Sequence, residues 1–214
     1  MKIAILTSPN QWFIPYAQKL HQTLTNSSLF FDHTRINGTY DLLFILSYHK
    51  IIKKEFLTAK HNIVIHASDL PQGKGWAPMF WQILEAKNDI VFSMFEASDG
   101  IDNGDIYMKK TLHLLGNELN EELRNKQAEF IINMCTEFLE NYDKYATPIP
   151  QIGEETLYKK RGANDSELDI HKTIDEQFNL LRIVDNENYP AFFYKNDKKY
   201  ILKIEEVENE NREV

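Results

Sequence analysis

HNIVIHASDLPQGKGWAPMFWQI, residues 61–83, is the stretch around which the chain is organised. Asn62 to Ile65 is apolar enough for a buried strand, and the run breaks at the polar turn His66-Ala67-Ser68-Asp69-Leu70-Pro71. A glycine-flanked lysine, Gly73-Lys74-Gly75, follows, and a helix restarts near Trp76–Pro78. A histidine at the C-terminal end of an apolar strand stands where open α/β sheets bind ligands. It can equally be a satisfied histidine at a strand end. A second stretch, Ala97-Ser98-Asp99-Gly100-Ile101-Asp102-Asn103-Gly104-Asp105-Ile106-Tyr107, supplies the carboxylates and glycines that such a histidine would need.

Outward from this centre, strands and helices alternate. Lys2–Thr7, Leu29–Phe31, Asp41–Leu46 and Asn62–Ile65 read as strands. Phe13, Tyr16, Leu20 and Leu24 recur at helical spacing. Ile51–Ala59 reads as a short helical crossover. The alternation predicts βαβ units and a mostly parallel sheet covered on both faces. Downstream, Ile90–Phe95 and Ile106–Leu114 read as strands. A long helix to about Tyr142 follows, with Asn117 as its N-cap and Leu119, Leu123, Phe130, Met134 and Phe138 on one face. The expected organisation is a main domain over residues 1–147, a linker over 148–166, and a small α+β unit with a charged tail over 167–214. In that unit Thr173–Val184 reads as a helix burying Ile174, Phe178 and Leu181, and Ala191–Lys195 and Lys199–Ile204 read as a hairpin.

Composition narrows the function. A chain of 214 residues with 43% hydrophobic content suits one main globular domain. Its single cysteine, Cys135, leaves no intrachain disulfide and no cysteine-based zinc cluster, so no metal is expected and a reducing, cytoplasmic setting is. No segment approaches a membrane span, and Met1–Leu6 reads as a strand rather than a leader. A formal net charge of −8 argues against a broad grip on nucleic acid, though not against one local anion seat.

The motifs together resemble the folate-dependent formyltransferases. His66-Ala67-Ser68-Asp69-Leu70-Pro71, Gly75-Trp76-Ala77-Pro78 and Asp102-Asn103-Gly104-Asp105-Ile106 are similar to that family's Asn-x-His-x-Ser-x-Leu-Pro and later Asp-x-Gly. Leu46–Ile52 resembles the segment that the family places beside its pterin. Asp165–Asp169, Leu181-Arg182 and Pro190–Phe193 resemble the junction and tail of longer members. The resemblance implies a Rossmann-like catalytic domain and catalysis by His66 and Asp102. It also implies 10-formyltetrahydrofolate as co-substrate, held near Lys50, Ile52, Phe56, Ala97, Ser98, Asp99 and Ile101. Ile52 and Phe56 can also be plain core. The nearest style is that of enzymes acting on nucleotide-linked amino sugars, as on the way to pseudaminic-type acids, and a homodimer is implied as well. Methionyl-tRNA formyltransferase, a folate-dependent hydrolase and a non-catalytic module on the same fold are the alternatives.

For the substrate, Ser8, Asn10 and Gln11 open the first helix and can seat a phosphate or simply cap it. Lys74 and Trp76 are further substrate candidates, the lysine for a diphosphate and the ring for a base. One departure stands out: Val64 occupies the place of the usual family Asn. By strand alternation Val64 shares a face with His66, and valine cannot donate a hydrogen bond to the formyl oxygen. Loss of one such donor is worth about 3–4 kcal/mol in an oxyanion site. Asn62 and Asn103 are replacements by residue type, with Asn62 about 7 Å further back along the strand.

Overall fold

The computed structural model describes residues 1–207. Four strands, β1 (Ile3–Leu6), β2 (Ser27–Phe30), β3 (Leu42–Ile45) and β4 (His61–His66), pair in parallel in the spatial order β2-β1-β3-β4. β1 and β3 are apolar and buried throughout, as parallel strands covered on both faces must be. Past β4 come a two-residue strand β5 (Lys74–Gly75) and helix α2 (Pro78–Leu84). Then β6 (Asp89–Glu96) and β7 (Ile106–His113) extend the sheet antiparallel beyond β4. Helices α1 (Ile14–Thr23), α2 and α3 (Asn120–Glu140) cover one face. Phe13, Ala17 and Leu20 of the first helical segment and Leu123, Met134, Cys135 and Phe138 of α3 are buried against Ile3, Ile5, Phe44 and Ile63.

The opposite face, Ala4, Leu6, Leu43 and Ile45, is covered by irregular chain. The expected helix over Ile51–Ala59 is a single 3-10 turn, Lys54–Phe56. Ile52 and Leu57 pack inward as separate anchors while Ile51 is 88% exposed, so no continuous apolar stripe exists for a helix to bury. Asn117 is not an N-cap either, because α3 starts at Asn120. The preceding Glu118 is fixed outside the helix by the N–H groups of Leu115 and Gly116.

After a short helix α4 (Tyr142–Tyr145), Ile149 bridges Ile106, and strand β8 (Leu157–Tyr158) pairs in parallel with β5. The chain ends in helix α5 (Phe178–Ile183) and a hairpin of β9 (Ala191–Lys195) and β10 (Lys198–Leu202). Asn196 and Asp197, both at positive φ, form the hairpin turn. The helix is shorter than Thr173–Val184: a 3-10 turn, Asp175–Gln177, precedes it, and Ile174 is exposed rather than buried. Gln177 explains the break, since its side-chain amide bonds the carbonyls of Asp169, Lys172 and Thr173. Arg182, wholly buried, joins this unit to the main sheet through Glu118 at 2.7 Å and Asn88 at 3.2 Å. The expected charged tail lies largely outside the described residues. Among those residues no helix is long and apolar enough to cross a membrane.

Candidate active site

His66 ends β4 on the same face as Val64, with its side chain 11% exposed. Its Nε2 lies 2.9 Å from the Gly73 carbonyl and 3.6 Å from Asp102 Oδ2. A carbonyl can only accept, so the network assigns the neutral-ring proton to Nε2 and leaves Nδ1 as the acceptor. Asp102 is 18% exposed and accepts the Gly75 N–H at 2.9 Å. The sequence thus named two residues that the fold brings within 3.6 Å of each other.

Asp102 holds a left-handed conformation, φ 50°, which Asp tolerates better than most residues. Its carbonyl accepts Gln151 Nε2 at 2.7 Å, and the same amide bonds the Gly104 carbonyl at 2.8 Å. Gly104 cannot be another residue without displacement of backbone, because a Cβ there would stand 1.5 Å from the Glu96 carbonyl oxygen. Gly75 is limited similarly: its φ is +97° and a Cβ would lie 2.5 Å from the Tyr158 carbonyl.

Lys74 is placed differently from the expected diphosphate contact. It is 4% exposed and donates to Glu155 at 2.6 Å and to Asn103. Its charge is therefore used inside the protein, bracing the 102–104 turn. The segment expected as a linker, 148–166, supplies that brace. Besides Gln151 and Glu155, Thr156 accepts the Gly73 N–H at 2.7 Å through its hydroxyl and the Lys74 N–H at 2.9 Å through its carbonyl. Sequence reasoning missed these residues, since the segment is polar, short of pattern and remote in sequence from what it touches. Trp81 is stacked on Tyr158, rings 6.1 Å apart at 9°, and Phe80 is buried, which leaves Trp76, 43% exposed, as the accessible ring.

The expected phosphate loop is also largely occupied. Helix α1 begins at Ile14, beyond it, with no side-chain cap at Phe13. Ser8, 5% exposed, accepts the His49 N–H at 2.8 Å. Gln11 donates to Thr7 and Ser47 and accepts from the Ser47 hydroxyl. The Ser8 and Gln11 side chains tie β1 to the end of β3, and of the three candidates only Asn10, at φ 54°, is exposed.

The residues expected beside the pterin divide into a wall and a rim. Ile52, Ala97, Tyr48 and Val64 belong to one apolar cluster on the helix-free face. Phe56 packs edge-on to His33, ring centroids 4.9 Å apart. Lys50, Ser98, Asp99 and Ile101 are exposed around them, with Lys50 3.4 Å from Asp32. The Ala97 amide is already bonded to the Asn62 carbonyl at 2.6 Å. Val64 packs against Leu70, Phe95 and Ile106 as well, so its position has an apolar lining. Asn62 is no replacement donor: its amide bonds Glu96 at 3.0 Å and the Ala59 carbonyl at 3.1 Å. The same Glu96 is held by Tyr107, whose hydroxyl also meets His61, in a buried network at the sheet's other end. Asn103 is exposed, and its oxygen accepts from Lys74.

The family model described as formyl transferase matches residues 14–138. A methionyl-tRNA formyltransferase of Ehrlichia ruminantium is 30% identical over 162 residues, 74% of this chain and 52% of that protein. The chain spans about half the length of the curated relatives it matches first. A methionyl-tRNA formyltransferase structure from Clostridium thermocellum superposes with a TM-score of 0.80 at 23% identity, covering 99% of this chain and 96% of that one. A 4-N formyltransferase from Francisella tularensis gives a TM-score of 0.73 at 17% identity, covering 96% and 99%. These structural likenesses concern the fold. The matched residues run from the start of α1 into the last turn of α3 and include His66, Asp102 and the loops between them, and on that ground the chain belongs to the formyl transferase family.

Proposed function

We propose that the protein transfers a formyl group from 10-formyltetrahydrofolate to the amine of a nucleotide-linked amino sugar. The observation that carries this reading is the pair His66 and Asp102, with Nε2 fixed by Gly73 and the carboxylate 3.6 Å away. The co-substrate supplies an activated formyl group on its N10. Its flat ring fits the wall of Ile52, Ala97, Tyr48 and Val64, with Lys50, Phe56, Ser98, Asp99 and Ile101 around it. The new bond joins the amine nitrogen to the formyl carbon, and the bond from that carbon to N10 breaks. His66 Nδ1 takes the proton that the amine loses and returns it to N10, so no proton is gained or lost overall. Asp102 stabilises the ring while it is charged. Positively polarised donors must meet the formyl oxygen as it gains charge. With Val64 apolar and Asn62 engaged, the Asn103 amide is the remaining asparagine on these loops.

A net charge of −8 supports a small acceptor over a long anionic one. The curated relatives favour a second reading, methionyl-tRNA as acceptor. That likeness removes the ground for excluding a nucleic-acid partner by charge alone. Parallel assays with 10-formyltetrahydrofolate decide among acceptors. The panel is UDP-, dTDP-, GDP- and CMP-linked amino sugars, charged initiator tRNA, and water. Formamide formation on an amino-sugar nucleotide is expected. Transfer to methionyl-tRNA alone refutes the sugar reading, and formate release alone identifies a hydrolase.

A further inference from the structure

Five segments bring cations and rings together beside the loop that holds Asp102. Arg124, early in α3, places its guanidinium 4.6 Å from the Trp12 ring centroid and 4.4 Å from that of Phe80. Lys160 holds its ammonium 4.9 Å above the Trp76 ring. Trp76 in turn faces the His49 imidazole, centroids 6.4 Å apart at 37°. The His49 backbone is pinned by its amide N–H, which donates to Ser8 Oγ. Burial, then the charges of Lys160 and Arg124, hold the His49 imidazole below its ordinary range, so the three groups share one electrostatic field.

The protein gives these two cations no direct partner. Among the described residues, the side chains of Arg124 and Lys160 make no ion pair and no hydrogen bond, in contrast to Lys74 with Glu155 and Lys159 with Asp165. Asp185 is the carboxylate whose charge reaches Arg124, and its own oxygens are occupied by the N–H groups of Glu187 and Asn188. Burial draws the Arg124 guanidinium down to about 10, which leaves it charged at neutral pH. Contact with two rings accounts for its apolar surroundings, and its five N–H donors have no protein acceptor among the described residues. Planar donor forks of this kind suit phosphate oxygens. The location suits an acceptor, since Trp76 directly follows Gly75, whose N–H holds Asp102.

We infer that Arg124, Lys160 and the His49–Trp76 pair form the seat for a diphosphate ester carried by the acceptor. The inference rests on the reading of the acceptor as nucleotide-linked. It moves the anion seat from the Ser8–Gln11 loop and Lys74, whose groups are engaged, to cations that are not.

Calorimetric titration of the full chain with UDP, dTDP and inorganic pyrophosphate tests it without any need for turnover. Wild-type protein is expected to bind at least one nucleoside diphosphate. Arg124→Gln should weaken that binding by about tenfold or more, the scale of a lost charge-assisted hydrogen bond. Lys160→Ala should weaken it several-fold, and tetrahydrofolate affinity should be unchanged in both. Lys160 is exposed, so its variant decides the matter if the Arg124 variant fails to fold. Equal affinity in wild type and folded variants overturns the seat. So does a wild type that binds no diphosphate, including one that binds tRNA instead. Diphosphate binding that depends on Arg124 in a protein transferring no formyl group would sink the proposed activity and leave the seat. Formyl transfer without diphosphate binding would do the reverse.

Discussion

Replacing Asp102 by Asn separates its charge from its hydrogen bonding. The carboxylate accepts the Gly75 N–H at 2.9 Å and stands 3.6 Å from His66 Nε2. An Asn oxygen retains the first contact, so the 102–104 turn, Gln151 and Gly104 keep their places. What is lost is attraction to a positively charged imidazole. At the observed 3.6 Å separation and an effective dielectric of about 20 that attraction is about 4–5 kcal/mol. Solvent reaches both groups, at 11% and 18% exposure, and screening reduces the gain to about 2–3 kcal/mol, or roughly 100-fold in rate. The expected result is a single-turnover formyl transfer rate about 100-fold below wild type, with stability to urea changed by less than about 1 kcal/mol. His66→Ala should cost at least as much, and the double variant should be little worse than the worse single one, because the two residues act as a unit. A folded Asp102→Asn protein whose rate is within about threefold of wild type, under 1 kcal/mol, would refute the pairing and leave Asp102 a turn residue.

Three further outcomes follow from the same geometry. Val64→Asn puts an amide among Leu70, Phe95 and Ile106; urea unfolding should show a loss of about 1–3 kcal/mol, and turnover should not rise, an increase showing instead that the site still lacked a donor. Burial pushes the Glu118 carboxyl up, but the N–H groups of Leu115 and Gly116 and the Lys126 ammonium outweigh it and hold it down to about 2. Because the folded value lies below the unfolded one, Glu118 stabilises the fold fully above about pH 4.5 and loses up to about 3 kcal/mol as pH falls toward 2. Glu118→Gln should flatten that limb of the unfolding curve, and parallel curves would count against it. Gly104→Ala should lower the melting temperature by about 5 °C or more, since its methyl would meet a carbonyl at 1.5 Å; unchanged melting would show that the Asp102 turn can shift freely.

The sequence by itself determined the elements whose signals are local. Apolar runs marked β1, β3, β4 and β6 because a strand covered on both faces buries nearly every side chain, and the stripe from Leu123 to Phe138 marked α3. It also paired His66 with Asp102, since residue types and motif likeness do not depend on distances. Tertiary contact decided the rest. Ile51–Ala59 had helical spacing but only separate places for Ile52 and Leu57 to pack. Asn117 could have capped α3, but Arg182, from a helix much later in the chain, draws Glu118 into a buried pair beside it. Lys74 carries the same charge in either reading, and only Glu155 and Asn103 show that it is spent internally. The apparent linker became the brace of the site through Gln151 and Thr156. Arg124 drew no notice in sequence, where an arginine on a helix is ordinary; the rings of Trp12 and Phe80 that strip its water come from other segments. Such contacts join positions far apart in the chain, and a partner's distance leaves no periodicity or local composition to read. Their geometry exists only after the core has closed.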